Sequence, residues 1–166
     1  MRGEEDASFR EFARARTIAL RRTAYLLCGD WHLAEDLTQN ALIKLYGVWP
    51  RMQRSERIDN YTRRVLLRCW LDEQRRPWRR RERRDGVLPE APASEPGESG
   101  LSDVLVRALG KIPPRQRAAV VLRFCADLPV ADVATALGCS EGTVKSQTAR
   151  GLDALRAVIE RWEAVA

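Results

Sequence analysis

Thr143, Lys145, Ser146, Gln147, Ala149 and Arg150 fall on one side of a helix whose other side carries Val144, Thr148, Leu152 and Leu155. Hydroxyls, an amide, a methyl and two cations in that array can hydrogen-bond base edges and neutralise phosphates in a DNA major groove. The residues before it fit the first half of a helix-turn-helix. Val130, Val133, Ala134 and Leu137 repeat at i, i+3, i+4 and i+7, which predicts a short helix with one buried stripe. Gly138 stands where a tight turn wants positive φ, and Ser140 is placed to cap a second helix starting at Glu141. Ala134 falls where the two helices should cross most closely, with Val144 as the apolar contact from the second. Two packed helices with a merely solvated basic face would not need the small residue, the turn glycine and the β-branched residue at these spacings.

A second candidate surface lies earlier. Asp59 or Asn60 can cap a helix running from Tyr61 into an arginine run, with Val65, Leu66, Cys69 and Trp70 inward and Arg63, Arg64, Arg68, Arg75 and Arg76 outside. Arginines continue at 79, 80, 81, 83 and 84, interrupted by Pro77-Trp78. Guanidinium groups can follow the phosphates of a single strand while rings such as Tyr61, Trp70 or Trp78 stack on unpaired bases. The competing reading is a solvated helix end with core tryptophans; it is favoured for any single tryptophan but not for the arginine cluster.

The third surface is the polar side of the helix preceding Pro50, where His32, Glu35, Asp36, Gln39, Asn40 and Lys44 form either a solvated or a docking face. His32 with Glu35 and Asp36 has the spacing of a metal site, but a single histidine on a charged helix face argues against one. No metal and no cofactor are expected. Nucleophile-base pairs, a phosphate-binding glycine loop and a paired-carboxylate site are all missing from the sequence, so the chain does not read as an enzyme.

These faces need elements to hold them. A chain of 166 residues with 45% apolar content allows one or two small domains. Lys+Arg 29 against Asp+Glu 23, with a pI near 9.6, favours a polyanionic partner. No apolar run approaches the roughly 20 residues of a membrane span, and Met1 to Asp6 is acidic where a signal peptide would be basic, which points to the cytoplasm. Cys28, Cys69, Cys125 and Cys139 are scattered singly, as small buried apolar residues rather than zinc ligands or disulfides.

In chain order, Ser8 is a candidate cap for helical sequence from Phe9 towards Cys28, with a break near Arg16 or Thr17. Gly29-Asp30 ends it and Asp30 caps the next helix, in which Leu33, Leu37, Ala41 and Leu45 share a stripe until Pro50 stops it. From Asp85 to Gly100, prolines, glycines and acidic residues read as a flexible linker able to span at most roughly 50 to 60 Å. Ser102 caps a further helix, and Ile112-Pro113-Pro114 turns the chain into another with Ala118, Val121, Leu122 and Cys125 inward. The expected fold is all-α, with two small helical domains joined by that linker, the C-terminal one a helix-turn-helix. The expected boundaries are 1–84, 85–100 and 101–166.

The whole arrangement resembles the extracytoplasmic-function (ECF) sigma factors of bacterial RNA polymerase, of the SigE-like actinobacterial type, from about Phe9 to Ile159. Leu33-Ala34-Glu35-Asp36-Leu37-Thr38-Gln39-Asn40-Ala41 looks like that family's core-binding helix and Asn60 to Arg76 like its promoter-melting helix. Leu109 to Leu155 looks like its upstream-element reader, through Ile112-Pro113-Pro114-Arg115-Gln116-Arg117 and Ser140-Glu141-Gly142-Thr143-Val144-Lys145-Ser146. The family often has Arg where Gln147 stands and an apolar residue where Thr148 stands, and commonly Asn at the position of Arg68. The resemblance implies a region 2-like domain, a linker and a region 4-like domain, acting in promoter-specific transcription initiation. It places Glu35, Asp36, Gln39 and Asn40 against core RNA polymerase. Tyr61, Arg64, Arg68, Trp70, Arg75 and Arg76 would meet the single-stranded −10 element. Thr143, Lys145, Ser146, Gln147, Ala149 and Arg150 would meet double-stranded −35 DNA. An anti-sigma factor is a further partner that it leaves room for. The competing reading is a dimeric helix-turn-helix repressor or activator, which would leave the arginine-aromatic helix and the linker without a role.

Overall fold

The computed structural model describes residues 2–76 and 103–165, and among them the chain is helical with no strand. The expected linker, the cap at Ser102, Trp78 and the arginines at 79 to 84 lie outside the described residues. In the N-terminal part α1 spans Arg2–Cys28, α2 Trp31–Met52 and α3 Ile58–Gln74. The boundaries expected near Ser8 and Arg16 do not occur, because side chains there are tied down within a continuous helix. The Ser8 hydroxyl donates to the Glu5 carbonyl and accepts the Trp49 indole N–H at 2.8 Å. The Thr17 hydroxyl donates to the Ala13 carbonyl at 2.5 Å, and Arg16 Nε meets Asp59 Oδ1 at 2.7 Å.

Gly29, at φ 75, takes the left-handed conformation that ends α1, its N–H returning to the Tyr25 carbonyl. Asp30 then caps α2 by accepting from the His32 and Leu33 amides. Pro50 does not stop α2. It sits in the last turn, where the lost N–H leaves only one carbonyl unmet, and the helix closes at Met52 with the Gln53 N–H on Trp49. Neither Asp59 nor Asn60 caps α3, which starts at Ile58 after Arg57 with no side-chain cap; Asp59 is instead the first-turn acid paired with Arg16.

In the C-terminal part α4 spans Asp103–Leu109, α5 Pro114–Val120, α6 Val130–Leu137 and α7 Glu141–Val165. Pro114 occupies the first turn of α5, where its missing N–H costs nothing. The helix continues through a π-helical turn, Val121–Cys125, in which the Ala126 N–H reaches back to Val121. That turn accommodates one extra residue and rotates the chain beyond it, so Cys125, expected inward with Val121 and Leu122, is exposed. Gly138 at φ 68 ends α6, and Ser140 Oγ accepts the Thr143 N–H at 3.1 Å to cap α7.

The two parts are not held apart. Leu27, Leu37 and Leu66 from the first belong to the same buried cluster as Leu109, Leu122 and Val133 from the second. α3 packs on α6, and α1 packs on α4, α5 and the π turn. At this seam Arg117, 8% exposed, donates from Nη1 to the Leu27 carbonyl at 2.6 Å and from Nη2 to the Ile112 carbonyl at 3.0 Å. Its guanidinium also lies over the Trp70 ring, 5.3 Å from the centroid.

α7 crosses α5 at Gly151. A Cβ there would meet Val120 Cγ2 at 2.6 Å and the Gln116 carbonyl oxygen at 3.0 Å, so glycine alone allows the approach. Gly151→Ala is expected to destabilise the chain by about 1 to 3 kcal/mol, the usual cost of forcing extra volume into a packed interface. Denaturant unfolding measures this directly, and a change below about 0.5 kcal/mol would mean that the two helices part freely.

Candidate nucleic-acid interface

On α7 the alternation expected from the sequence is realised. Val144, Thr148 and Gly151 are buried, whereas Thr143, Lys145, Ser146, Ala149 and Arg150 are exposed and Gln147 is half-buried. Leu152 and Leu155 are only half-buried, since the helix runs beyond the short α6 that would cover them. Thr148 behaves as an apolar residue, because its hydroxyl is consumed by the Val144 carbonyl at 2.6 Å. Thr143 Oγ1 lies 2.9 Å from the capping Ser140 Oγ, which fixes the first turn of the helix. Lys145 and Arg150 stand exposed beyond that turn, two cations suited to phosphate oxygens flanking a major groove.

On α3 Arg64 and Arg68 are exposed and Tyr61 is half-buried, and Arg75 and Arg76, just past its end, are exposed as well. Trp70 does not join them. It is 0% exposed, enclosed at the seam under Arg117, and has no face to offer a base. Arg76 also belongs elsewhere: it pairs with Glu73 at 3.3 Å and lines a cleft with the acidic face of α2. Arg63, expected outside, is half-buried beside Arg16, Arg22, Asp59 and Cys125 in another cleft, of about 460 Å³, where α1, α3 and the π turn meet.

Glu35, Asp36, Gln39 and Asn40 are all exposed and line the first cleft, about 740 Å³, floored by Leu33 and Leu37 and closed on one side by Glu73 and Arg76. Ile43, 66% exposed, follows Gln39 and Asn40 one turn along. An aliphatic residue outside the buried stripe was the available signal for it. Tyr46, also exposed, donates its hydroxyl to Asp6 at 2.6 Å, and this bond raises the phenol above its ordinary pKa. Burial pushes the Cys69 thiol up, leaving it a packing group rather than a nucleophile at neutral pH.

Family models place the chain's similarities on both parts: residues 12–80 match "Sigma-70 region 2" and residues 102–155 match "Sigma-70, region 4". The chain is 36% identical over 157 residues to the RNA polymerase sigma-E factor of Streptomyces coelicolor, covering 92% of this chain and 86% of that one. It is 34% identical over 159 residues to the ECF RNA polymerase sigma factor SigE of Mycolicibacterium smegmatis, covering 90% of this chain and 60% of the relative. Among solved structures it resembles the sigma factor RpoE in complex with the anti-sigma factor NepR from Bartonella quintana. The TM-score is 0.73 and the identity 26%, over 92% of this chain and 96% of that one.

The surface and core assignments separate in a stability measurement. Alanine at Asp36, Gln39, Lys145 or Arg150 should alter unfolding free energy by no more than about 0.5 kcal/mol, whereas Trp70→Ala should cost about 3 to 5 kcal/mol. A Trp70 variant as stable as the parent would return that ring to the surface.

Proposed function

The chain belongs to the sigma-70 family, and from that premise we propose how its exposed faces share the work of promoter-specific initiation. It is a sigma factor that directs core RNA polymerase to promoter DNA, and it is not an enzyme. Its contribution is therefore differential binding, and each surface must act in a particular state of the DNA.

We assign duplex reading at −35 to Thr143, Lys145, Ser146, Gln147, Ala149 and Arg150. The observation that carries this is the exposed row on α7 above the buried Val144 and Thr148. Single-strand contact at −10 is assigned to Tyr61, Arg64, Arg68 and Arg75. Extruding a base costs a few kcal/mol, and stacking on an aromatic ring returns about 1 to 3 kcal/mol per base, so Tyr61 needs the arginines' phosphate contacts to favour the melted strand. Core docking is assigned to Glu35, Asp36, Gln39 and Asn40, with Ile43 as an apolar contact beside them and Arg76 at the rim of the same cleft. The proposed division is a region 2 domain over 1–84, a linker over 85–100 and a region 4 domain over 101–166. The proposed setting is the cytoplasm, where polymerase and promoter are. An anti-sigma factor is proposed as a regulatory partner, since the Bartonella relative was solved with one.

Lys145→Ala and Arg150→Ala should weaken upstream-element binding by the polymerase-bound chain. A bidentate base contact by Arg150 predicts a loss of about 1 to 3 kcal/mol with relaxed preference at one base pair; a phosphate contact predicts uniform weakening and a shallower salt dependence. Fluorescence anisotropy against a randomised upstream element distinguishes them, and unchanged binding by both variants would remove α7 from the interface.

Asp36→Lys combined with Gln39→Ala should abolish co-elution with core polymerase and transcription from a promoter library, while circular dichroism of the variant matches the parent. If the double variant still initiates normally, docking lies elsewhere. A parent chain that binds a palindromic duplex tightly as a dimer and supports no initiation with core enzyme would favour the repressor reading.

A further inference from the structure

The cleft of about 460 Å³ between α1, α3 and the π turn holds positive charge that the described residues do not answer. Three guanidinium groups, Arg16, Arg22 and Arg63, line it against one carboxylate, Asp59. Arg16 takes that carboxylate, with Nε 2.7 Å from Oδ1 and Nη2 3.4 Å from Oδ2, and its guanidinium rests over the Phe12 ring. Arg22 and Arg63 have no acidic partner among the described residues.

For Arg63 this is an exception. It is half-buried, and where the described structure withdraws an arginine from water it otherwise supplies a partner. Arg16 has Asp59, Arg21 the Trp31 ring, Arg117 the Leu27 and Ile112 carbonyls, and Arg123 the Leu128 carbonyl. Arg63 has no counterpart to these. A second unspent group lines the same cleft from α1. Thr17, Thr38, Thr62, Thr135 and Thr148 each donate to the carbonyl four residues back, a common habit of helical threonines. Thr23, half-buried, does not, so its hydroxyl is left to meet a ligand.

The remaining wall is aliphatic: Ala19, Leu20, Leu26 and Ala126, of which Leu20 and Leu26 are buried. A carboxylate or phosphate matches the planar donor fork of arginine and can accept from a threonine hydroxyl as well. The volume suits a small organic ligand with most of its surface covered.

We propose that this cleft binds a small amphipathic anion, a carboxylate or phosphate monoester on a short aliphatic chain, whose head meets Arg63, Arg22 and Thr23 and whose tail lies on Leu20, Leu26 and Ala126. None of the residues assigned to polymerase or DNA lines the cleft, and the site does not rest on that assignment.

The test uses the full chain and octyl phosphate as probe, with octanoate, octyltrimethylammonium and inorganic phosphate beside it. Isothermal titration calorimetry should give one site with a Kd below about 100 μM, within reach of a ligand of roughly a dozen heavy atoms. Binding should weaken as salt is added. Arg63→Gln should weaken it about tenfold or more, the worth of one charge-assisted hydrogen bond. Ala19→Phe, which fills the cleft from an exposed position on α1, should abolish it. Cys125 lines the cleft and is exposed, so bound probe should slow its alkylation by iodoacetamide, read by peptide mass spectrometry, and Arg63→Gln should remove that protection. Tighter binding of octanoate than of octyl phosphate would identify the head as a carboxylate and support the same site. Octyltrimethylammonium or inorganic phosphate binding as tightly as octyl phosphate would overturn the proposal. So would binding undiminished in Arg63→Gln, binding that leaves Cys125 as reactive as before, or no measurable binding of either octyl anion. Should Ala19→Phe fail to fold, Arg63→Gln, which breaks no ion pair among the described residues, decides.

Discussion

The structure turns on the burial of one guanidinium. Removing a cation from water costs several kcal/mol, and charge-assisted hydrogen bonds to carbonyls recover about 1.5 to 3 kcal/mol each. Arg117 meets this by using carbonyls at the end of α1 and ahead of α5, so its desolvation is compensated only while both parts stay in register. The fit is directional where the surrounding leucines are not, and it fixes where α1 ends against α5.

Against that seam the outward faces are independent of one another. The exposed row of α7 is fixed by contacts within the C-terminal part: the Ser140 cap, the Val144 and Thr148 stripe, and the close approach at Gly151. The polar face of α2 is fixed by the Asp30 cap and by Leu33 and Leu37 beneath it. Neither depends on the other, as a protein that must hold polymerase and DNA at distant points requires.

The helix-turn-helix was legible because local chemistry determines it: Gly138, Ser140 and the α6 stripe act within a few residues of their own position. The same holds for Asp30 and the polar face of α2. The features that were not legible depended on distant neighbours. Ser8 looks like a cap until Trp49 and Glu5 occupy it, and Asp59 until Arg16 does. Pro50 reads as a stop, but near a helix end it costs too little to be one. Trp70 carried two compatible roles, and the contact that decided between them comes from a residue far along the chain. Gly151 gives no sign of its importance until α5 is laid across it.

The π turn at Val121–Cys125 acts as a gear tooth between two shafts. Each residue of an α-helix advances the chain by about 100°, so one additional residue in this last turn shifts by that angle the direction in which the chain leaves the helix. Val121 and Leu122 remain in the core while Arg123 swings round to hold the Leu128 carbonyl at 2.6 Å, just before α6 begins. The chain then passes through residues 126–129, with Asp127 at φ 54, before α6 begins at Val130. In evolutionary terms this short stretch should tolerate neither a polar residue at Val121 or Leu122 nor the loss of a single residue, since one would open the core and the other would change the direction in which the chain departs towards α6.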